Sequence, residues 1–132
     1  MKPIDKVAWI EIENKSILST KSYGKDKYYI PGGKRKLGEA DHHVLIREIY
    51  EELNVLLDAD SLMFVGIFEA QAHGHKEGVI VKMTCYSGNY SGQLKASSEI
   101  EEIVWLKYSD RDKISEVDKL IFDYLENKNL LE

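Results

Sequence analysis

Three glutamates in the middle of the chain have the spacing of residues that act together. Glu48, Glu51 and Glu52 stand at positions i, i+3 and i+4 of a segment with helical periodicity, so their side chains project towards one side of a helix. Like charges at this spacing repel each other by about 0.2–0.5 kcal/mol per pair. Clustered carboxylates are the hard oxygen ligands that Mg²⁺ and Mn²⁺ prefer. The spacing therefore predicts a divalent metal site.

The residues around these glutamates add to the predicted site. Gly32 and Gly33 allow the backbone to approach closely and to turn sharply, so a main-chain carbonyl could join the metal ligands. Glu39, ahead of the helix, could bring a further carboxylate to its N-terminal end. Arg47 can pair with a neighbouring glutamate and fix its side-chain rotamer.

The helix that carries the glutamates is predicted over residues 41–53. Its apolar residues fall on one broad stripe when each residue turns by about 100°. Asp41 is a plausible N-cap, and Asn54 is well placed to end the helix because asparagine tolerates the left-handed conformation. The stripe consists of Leu45, Ile46, Ile49, Tyr50 and Leu53.

The other elements are mostly strands. Alternation predicts a hairpin of residues 7–13 and 16–22 joined by a turn at Asn14 and Lys15, and Pro31, Gly32 and Gly33 are expected to stop a short strand at residues 28–30. A last helix is predicted to open at Ser115, with Asp118 three residues on in a capping box. This order predicts an α/β fold with a mixed sheet and flanking helices. Further strands are predicted at residues 62–70, 79–86 and 103–108.

Composition limits the class of protein. The chain has 132 residues, of which 43% are hydrophobic, so we expect one domain over residues 1–132. Its formal net charge of −5 argues against binding to nucleic-acid backbones or to anionic membranes. Cys85 is the one cysteine, which excludes an intrachain disulfide, and we expect it to be a core residue, as we do Trp105. No segment resembles a signal peptide or a membrane span, so a cytoplasmic protein is expected.

The segment from Gly33 to Val55 resembles the Nudix box. That pattern is glycine, five residues, glutamate, seven residues, arginine-glutamate-apolar, one residue, two glutamates, one residue, glycine and an apolar residue. One position departs, where Asn54 replaces glycine, and this change is tolerable because asparagine also adopts the left-handed conformation that ends a helix. The positions that match are Gly33, Glu39, Arg47, Glu48, Ile49, Glu51, Glu52 and Val55.

The resemblance extends beyond the box. Residues 29–34 are similar to the strand and loop that lead into it in this family. Residues 98–106 resemble a segment that in many Nudix enzymes adds a loop glutamate to the metal site before a strand. Glu99 matches that glutamate best, with Glu102 as the alternative.

Membership of this family implies an α/β/α sandwich and Mg²⁺-dependent hydrolysis of a nucleoside diphosphate linked to another moiety, with Mn²⁺ as an alternative cation. By position, Glu48, Glu52 and the carbonyl of Gly32 would ligate the metal, as would Glu99. Glu51 would be a ligand or the base. The resemblance also makes Glu39 a supporting ligand and Arg47 an orienting residue, and it leaves open which group takes the proton from water.

Several residues outside the acidic cluster are candidates for binding substrate. Lys34 and Arg35 could contact phosphates, and Tyr29 could stack on a base. His73 and His75 could supply a base or a wall of the pocket, although loop histidines are more often exposed and inert.

The substrate class is less constrained. The small size and short connections favour a modified (d)NTP, with ADP-ribose or a nucleotide sugar as alternatives. ADP-ribose is disfavoured because the family members that cleave it tend to carry a proline downstream of the box, where this chain has none. A non-catalytic nucleotide-binding sensor is a further alternative, which would be expected to lack some acidic ligands. The expected partner is a small nucleotide, and the expected state is a monomer or a homodimer.

Overall fold

Nine strands and two α-helices form the structure, a computed structural model that describes residues 2–132. The helices are α1 (Asp41–Leu53) and α2 (Glu116–Asn127). Short 3₁₀ turns occur at Ala59–Ser61 and Tyr108–Lys113. The strands are β1 (Ile4–Ile10), β2 (Ile12–Glu13), β3 (Ser16–Ser22), β4 (Gly32–Lys34), β5 (Leu56–Leu57), β6 (Met63–Gln71), β7 (Ile80–Ser87), β8 (Tyr90–Ser91) and β9 (Ile100–Leu106).

The largest sheet is mixed, as the sequence predicts. Its strand order is β4-β1-β7-β6, with β1 and β7 parallel and the other neighbours antiparallel. A second, antiparallel sheet has the order β2-β3-β9, and β5 pairs with β8.

Strand β1 is buried on both of its faces. Val7 and Trp9 pack into an apolar cluster with Leu45, Ile49 and Leu53 of α1. Ala8 and Ile10 belong to a second cluster, which includes Ile121, Phe122 and Leu125 of α2. The two helices therefore cover opposite faces of the sheet, which confirms the predicted α/β/α sandwich.

The predicted hairpin forms, but its first strand is divided. Asn14 and Lys15 have φ of 52° and 60°, the left-handed pair that a tight two-residue hairpin turn requires. The single strand predicted over residues 7–13 breaks at Glu11, and its two parts join different sheets. That division depends on strand pairing far along the chain, which local alternation does not report.

The prediction of a strand at residues 28–30 that stops at the glycines is wrong. Tyr28 and Tyr29 make only isolated bridges, to Ile114 and Thr20. Gly32–Lys34 instead forms β4, which pairs with β1. An added Cβ on Gly32 would overlap the carbonyl oxygen of Val7, so glycine permits the close approach of these two strands.

Helix α1 has the predicted bounds, and Asn54 ends it with a φ of 62° and a bond from its N–H to the Tyr50 carbonyl at 3.0 Å. The N-cap prediction is wrong by one residue, because Ala40 holds that position. Asp41 is the first helical residue, and its carboxylate pairs with Arg35 and accepts a bond from the Tyr86 hydroxyl at 2.6 Å.

Helix α2 begins after Ser115 without the predicted capping box, since the Ser115 side chain makes no capping bond. Cys85 is fully buried, as expected. Trp105 is not a core residue: it is 37% exposed, because β9 is an edge strand with a neighbour on one side only.

Within residues 2–132, no helix is both long enough and apolar enough to cross a membrane.

We expect Gly32→Ala to destabilise the protein more than Gly24→Ala. Both glycines have positive φ, but the space around Gly24 is open, so alanine there costs only the left-handed backbone conformation, about 1–2 kcal/mol. Alanine at Gly32 adds an overlap with backbone atoms of β1, worth about 1–3 kcal/mol more. Urea unfolding of the two variants measures the difference. Equal losses would show that β4 can move away from β1 at little cost.

Candidate active site

A cavity of about 440 Å³ lies where α1, β1 and β4 meet, and we call it the main cavity. Glu48, Glu52 and Glu99 line one part of it, beside Gly32 and Gly33. Apolar and polar side chains from β1, β7 and α2 form other parts, among them Ala8, Val81, Met83, Ser115 and Val117.

The three carboxylates lie close together, and they range from the exposed Glu99 through the half-buried Glu48 to the buried Glu52. Glu52 is only 7% exposed. Burial raises its pKa to about 9, and the neighbouring Glu99 and Glu48 act in the same direction. Burial is also the main cause of the raised pKa of Glu48. Negative charge at this point is therefore costly unless a cation is bound.

The donor chemistry of this group fits a hard divalent cation, since the side-chain donors are carboxylate oxygens. Their arrangement is not a closed coordination sphere: within residues 2–132, no three Asp, Glu, His or Cys side chains are preassembled as a cation site. Glu48 is instead paired with Arg47, at 2.9 Å between Oε1 and Nη1.

Glu39 and Arg47 hold one another. Arg47 donates from Nε to Oε2 of Glu39 at 3.0 Å and from Nη2 to Oε1 at 2.8 Å. The Lys36 backbone N–H also donates to Oε1 of Glu39, at 2.8 Å. The Arg47 bonds, followed by the Lys36 bond, lower the pKa of Glu39 to about 2. Both oxygens of Glu39 are thus engaged, so in this arrangement it positions Arg47 rather than facing the main cavity.

Glu51 lies at the edge of this network. Its side chain is about half exposed, with Oε1 3.7 Å from Nη1 of Arg47, and it is not among the residues that line the main cavity. The structure thus brings together Glu48, Glu52 and Glu99, with Glu51 nearby on the solvent side. Glu102, the alternative to Glu99, accepts a hydrogen bond from the Tyr28 hydroxyl at 2.7 Å.

Gly33 makes room for the carboxylate of Glu48. A Cβ at this position would overlap the Glu48 carboxyl group. The neighbouring Gly32 backbone lies close enough to Glu52 to oppose the rise in its pKa. Gly33 therefore sets how near the carboxylate of Glu48 comes to strand β4, and the backbone of Gly32 lies beside Glu52.

Two of the three residues predicted to bind substrate lie at the main cavity, and the third does not. Tyr29 and Lys34 line the main cavity, and Arg35 does not. The Arg35 guanidinium donates to Asp5 and to the Glu39 carbonyl, each at 3.0 Å, and it also pairs with Asp41. These contacts give Arg35 a structural role that joins the loop before α1 to β1.

The two loop histidines also line the main cavity. His73 lies with Nε2 at 2.9 Å from Oδ1 of Asp26, and its ring centroid is 6.3 Å from that of Tyr29. His73 and His75 thus form part of the pocket wall.

Asp118 is a buried carboxylate near the main cavity, although the sequence pattern predicts it in a capping box. It is 1% exposed, and its Oδ2 accepts a bond from the Ile30 N–H at 2.9 Å, while its Oδ1 and the Ser115 hydroxyl have no partner in the described residues. Burial raises its pKa to about 7, opposed by the Ile30 N–H and by the positive charge of Lys6. Its position on the same helix face as Ile121 and Phe122 is the signal that could have revealed its burial.

The raised pKa of Asp118 predicts a pH-dependent effect of Asp118→Asn. Between about pH 4 and pH 7 the folded state binds the proton more tightly than the unfolded state, so the wild type loses stability as pH rises through this window. Asparagine has no such loss, so the variant should gain relative stability with rising pH. The gain should be a few kcal/mol at most, because a tenfold difference in proton affinity between the two states corresponds to about 1.4 kcal/mol.

Urea unfolding across this pH range measures the effect, with Asp123→Asn as the control. Arg111 lowers the pKa of Asp123, so that variant should lose relative stability as pH rises through the acid range. A difference between Asp118→Asn and wild type that stays constant with pH would contradict this account of the buried carboxylate.

Comparison with known proteins shows which family the chain belongs to. The NUDIX domain model matches residues 3–125. A MutT NUDIX hydrolase from Burkholderia pseudomallei has a similar structure, with a TM-score of 0.75 at 17% identity over 93% of this chain and 98% of that one. A nudix hydrolase family member from Chromobacterium violaceum gives a TM-score of 0.74 at 22% identity, over 96% and 78%.

A UDP-X diphosphatase is also similar, with a TM-score of 0.71 at 15% identity over 98% of this chain and 64% of that one. No curated protein matches the sequence. At these identities the solved structures support the fold, while the family model covers most of the chain and includes the acidic helix. This chain therefore belongs to the Nudix hydrolase family.

Proposed function

We propose that this Nudix hydrolase is a divalent-metal-dependent pyrophosphohydrolase, with Mg²⁺ as its cation and Mn²⁺ as an alternative. It would cleave a small nucleoside diphosphate derivative by attack of water on phosphorus. The observation that carries the proposal is the burial of Glu52 beside Glu48 and Glu99 at the wall of the main cavity. A protein gains nothing from concentrating negative charge in this way unless a cation completes the site.

We assign different roles to the acidic residues of the site. Glu48, Glu52 and Glu99 would hold the cation together with the Gly32 carbonyl. When bound, the cation offsets the negative charge that accumulates as water attacks a phosphoryl group. Glu51, at the edge of the site, remains a candidate ligand or base.

Arg47 and Glu39 would not bind the cation themselves but would orient one of its ligands. Arg47 contacts Glu48 directly and so sets its orientation. Glu39 fixes Arg47 through two hydrogen bonds, which makes it a positioning residue in place of the ligand that the family resemblance implies.

For the substrate we propose a modified (d)NTP, with ADP-ribose and nucleotide sugars as alternatives. The volume of the main cavity lies within the range of small-molecule sites. Tyr29 offers an aromatic ring and Lys34 a cation for phosphate within the same space. The name of the UDP-X diphosphatase with a similar fold keeps the nucleotide-sugar alternative open. A non-catalytic sensor is disfavoured, because the set of acidic side chains is complete.

We also propose a partner, a location and an oligomeric state for the protein. The net charge of −5 favours a small nucleotide over nucleic acid or a membrane as partner. We propose a single domain over residues 1–132 that acts in the cytoplasm as a monomer or a homodimer.

We expect Glu52→Gln to lower kcat by at least about 100-fold, because it removes a ligand whose charge the reaction needs. Hydrolysis of modified dNTPs, dinucleotides and nucleotide sugars in the presence of Mg²⁺ would be measured by product release. Glu126→Gln, an exposed carboxylate on α2, is the matched control and should keep full activity. Failure of the wild type to cleave any of these compounds, or equal rates for Glu52→Gln, would refute the proposal.

Binding of the metal can be tested by thermal stability, without an activity assay. Mg²⁺ should raise the Tm of the wild type, since a cation bound only to the folded state at 100 times its Kd stabilises it by roughly 2.7 kcal/mol. Glu52→Gln should raise the Tm of the metal-free protein at neutral pH, because Glu52, with its pKa of about 9, has to bind a proton on folding and glutamine does not. It should also reduce the shift caused by Mg²⁺. Calorimetry with and without EDTA measures both effects. If Mg²⁺ does not change the Tm of the wild type, the protein does not bind this cation in the proposed way.

A further inference from the structure

Three lysines line the main cavity without a carboxylate partner. Lys6, Lys25 and Lys34 all contribute to its wall. Within residues 2–132, none of them lies within 4.0 Å of a carboxylate oxygen, and none donates a side-chain hydrogen bond. Other lysines of residues 2–132 also lack a carboxylate partner, but these three share one cavity. The cavity therefore holds positive charge that the protein itself leaves unpaired.

Two of these lysines are placed against one another by the fold. Lys6 on β1 lies directly opposite Lys34 on β4 in the antiparallel ladder, so the two side chains stand on the same face of the sheet. Like charges directly opposite in a ladder are destabilising. Burial lowers the pKa of Lys6, and the charges of Lys34 and Lys25 lower it further. This arrangement has a cost that a bound anion would remove.

The surroundings of Lys6 show where such an anion would lie. Two carboxylates favour its charged form, Asp118 and Glu52, but neither is in contact with it. The Lys6 Nζ lies 5.8 Å from the centre of the Tyr29 ring. Lys6 thus feels the charge of both carboxylates without pairing with either, which leaves its ammonium group available to a ligand.

We propose that Lys6, Lys25 and Lys34 form an anion subsite that binds the third phosphoryl group of the substrate, beyond the two that are held at the carboxylates. Lysine binds phosphate as a point charge and does not need the paired geometry of arginine. The lysines line the same cavity of about 440 Å³ as Glu48, Glu52 and Glu99, so one phosphate chain can contact both groups.

This inference rests on the proposed function and narrows its substrate class. A nucleoside triphosphate has a third phosphoryl group to place on the lysines, whereas a nucleotide sugar has an uncharged sugar at the corresponding end. The three lysines therefore select nucleotides with at least three phosphoryl groups over those with two.

The test compares Lys6→Met and Lys34→Met with the wild type. Lys128→Met is the matched control, since it removes an exposed cation that lies against Tyr124, outside the main cavity. Isothermal titration calorimetry with tripolyphosphate and with pyrophosphate, each in the presence of Mg²⁺ and of EDTA, isolates the contribution of the third phosphoryl group. The wild type should prefer tripolyphosphate, and each lysine variant should lose about 10- to 100-fold in affinity for it. The control should retain the wild-type preference.

Kinetics give a second readout. In both variants kcat/KM for nucleoside triphosphates should fall relative to that for nucleotide sugars. Lys34→Met changes an exposed side chain and so carries the test if Lys6→Met does not fold. An unchanged preference for tripolyphosphate in a folded variant, or a wild type with no such preference, would overturn the subsite. Tripolyphosphate binding that depends on the lysines, in a protein that hydrolyses nothing, would support the subsite while the proposed hydrolysis failed.

Discussion

Helix α1 can bring the carboxylate of Glu48 close to strand β4 because the strand has no side chain at Gly33. The space that a Cβ of Gly33 would fill is taken by the carboxyl group of Glu48. The apolar side of the helix fixes its distance from the sheet through Leu45 and Ile49, which are fully buried. Glu52 lies on the same helix and is buried with them, so the packing that stabilises the sandwich also removes this carboxylate from water. A charge held there without a partner would cost several kcal/mol, so a cation bound at this point would stabilise the fold.

The bounds of helix α1 and the way it ends could be predicted from local sequence. The periodicity of α1 and the left-handed conformation of Asn54 depend on residues a few positions apart, and both agree with the structure. The pairing of Gly32–Lys34 with β1 could not be predicted in this way, because it depends on residues more than twenty positions away. The same limit applies to Glu39: the spacing places it near the metal site, but only the folded structure shows that Arg47 occupies both of its oxygens.

Asp118 shows how a local pattern can match a motif whose contacts do not form. Ser115 followed by Asp118 has the spacing of a capping box, yet the Asp118 carboxylate accepts its hydrogen bond from Ile30, 88 positions away in the sequence. Ile30 precedes Pro31, and its N–H lies outside the regular sheets, so it needs an acceptor from elsewhere. A buried backbone donor is costly to leave unpaired, and this requirement outweighs the smaller gain from a helix cap.

The acidic character of the whole chain does not determine what the main cavity attracts. At physiological ionic strength, exposed charges are screened over about 8 Å, so the surface carboxylates act weakly on a ligand inside the cavity. The local distribution there has both signs, because Glu48, Glu52 and Glu99 line the cavity together with Lys6, Lys25 and Lys34. A free polyphosphate is complementary only to the lysines, and a bare cation only to the carboxylates. A nucleotide that arrives with its divalent cation would be complementary to both, so a net charge of −5 is compatible with the proposed polyanionic substrate.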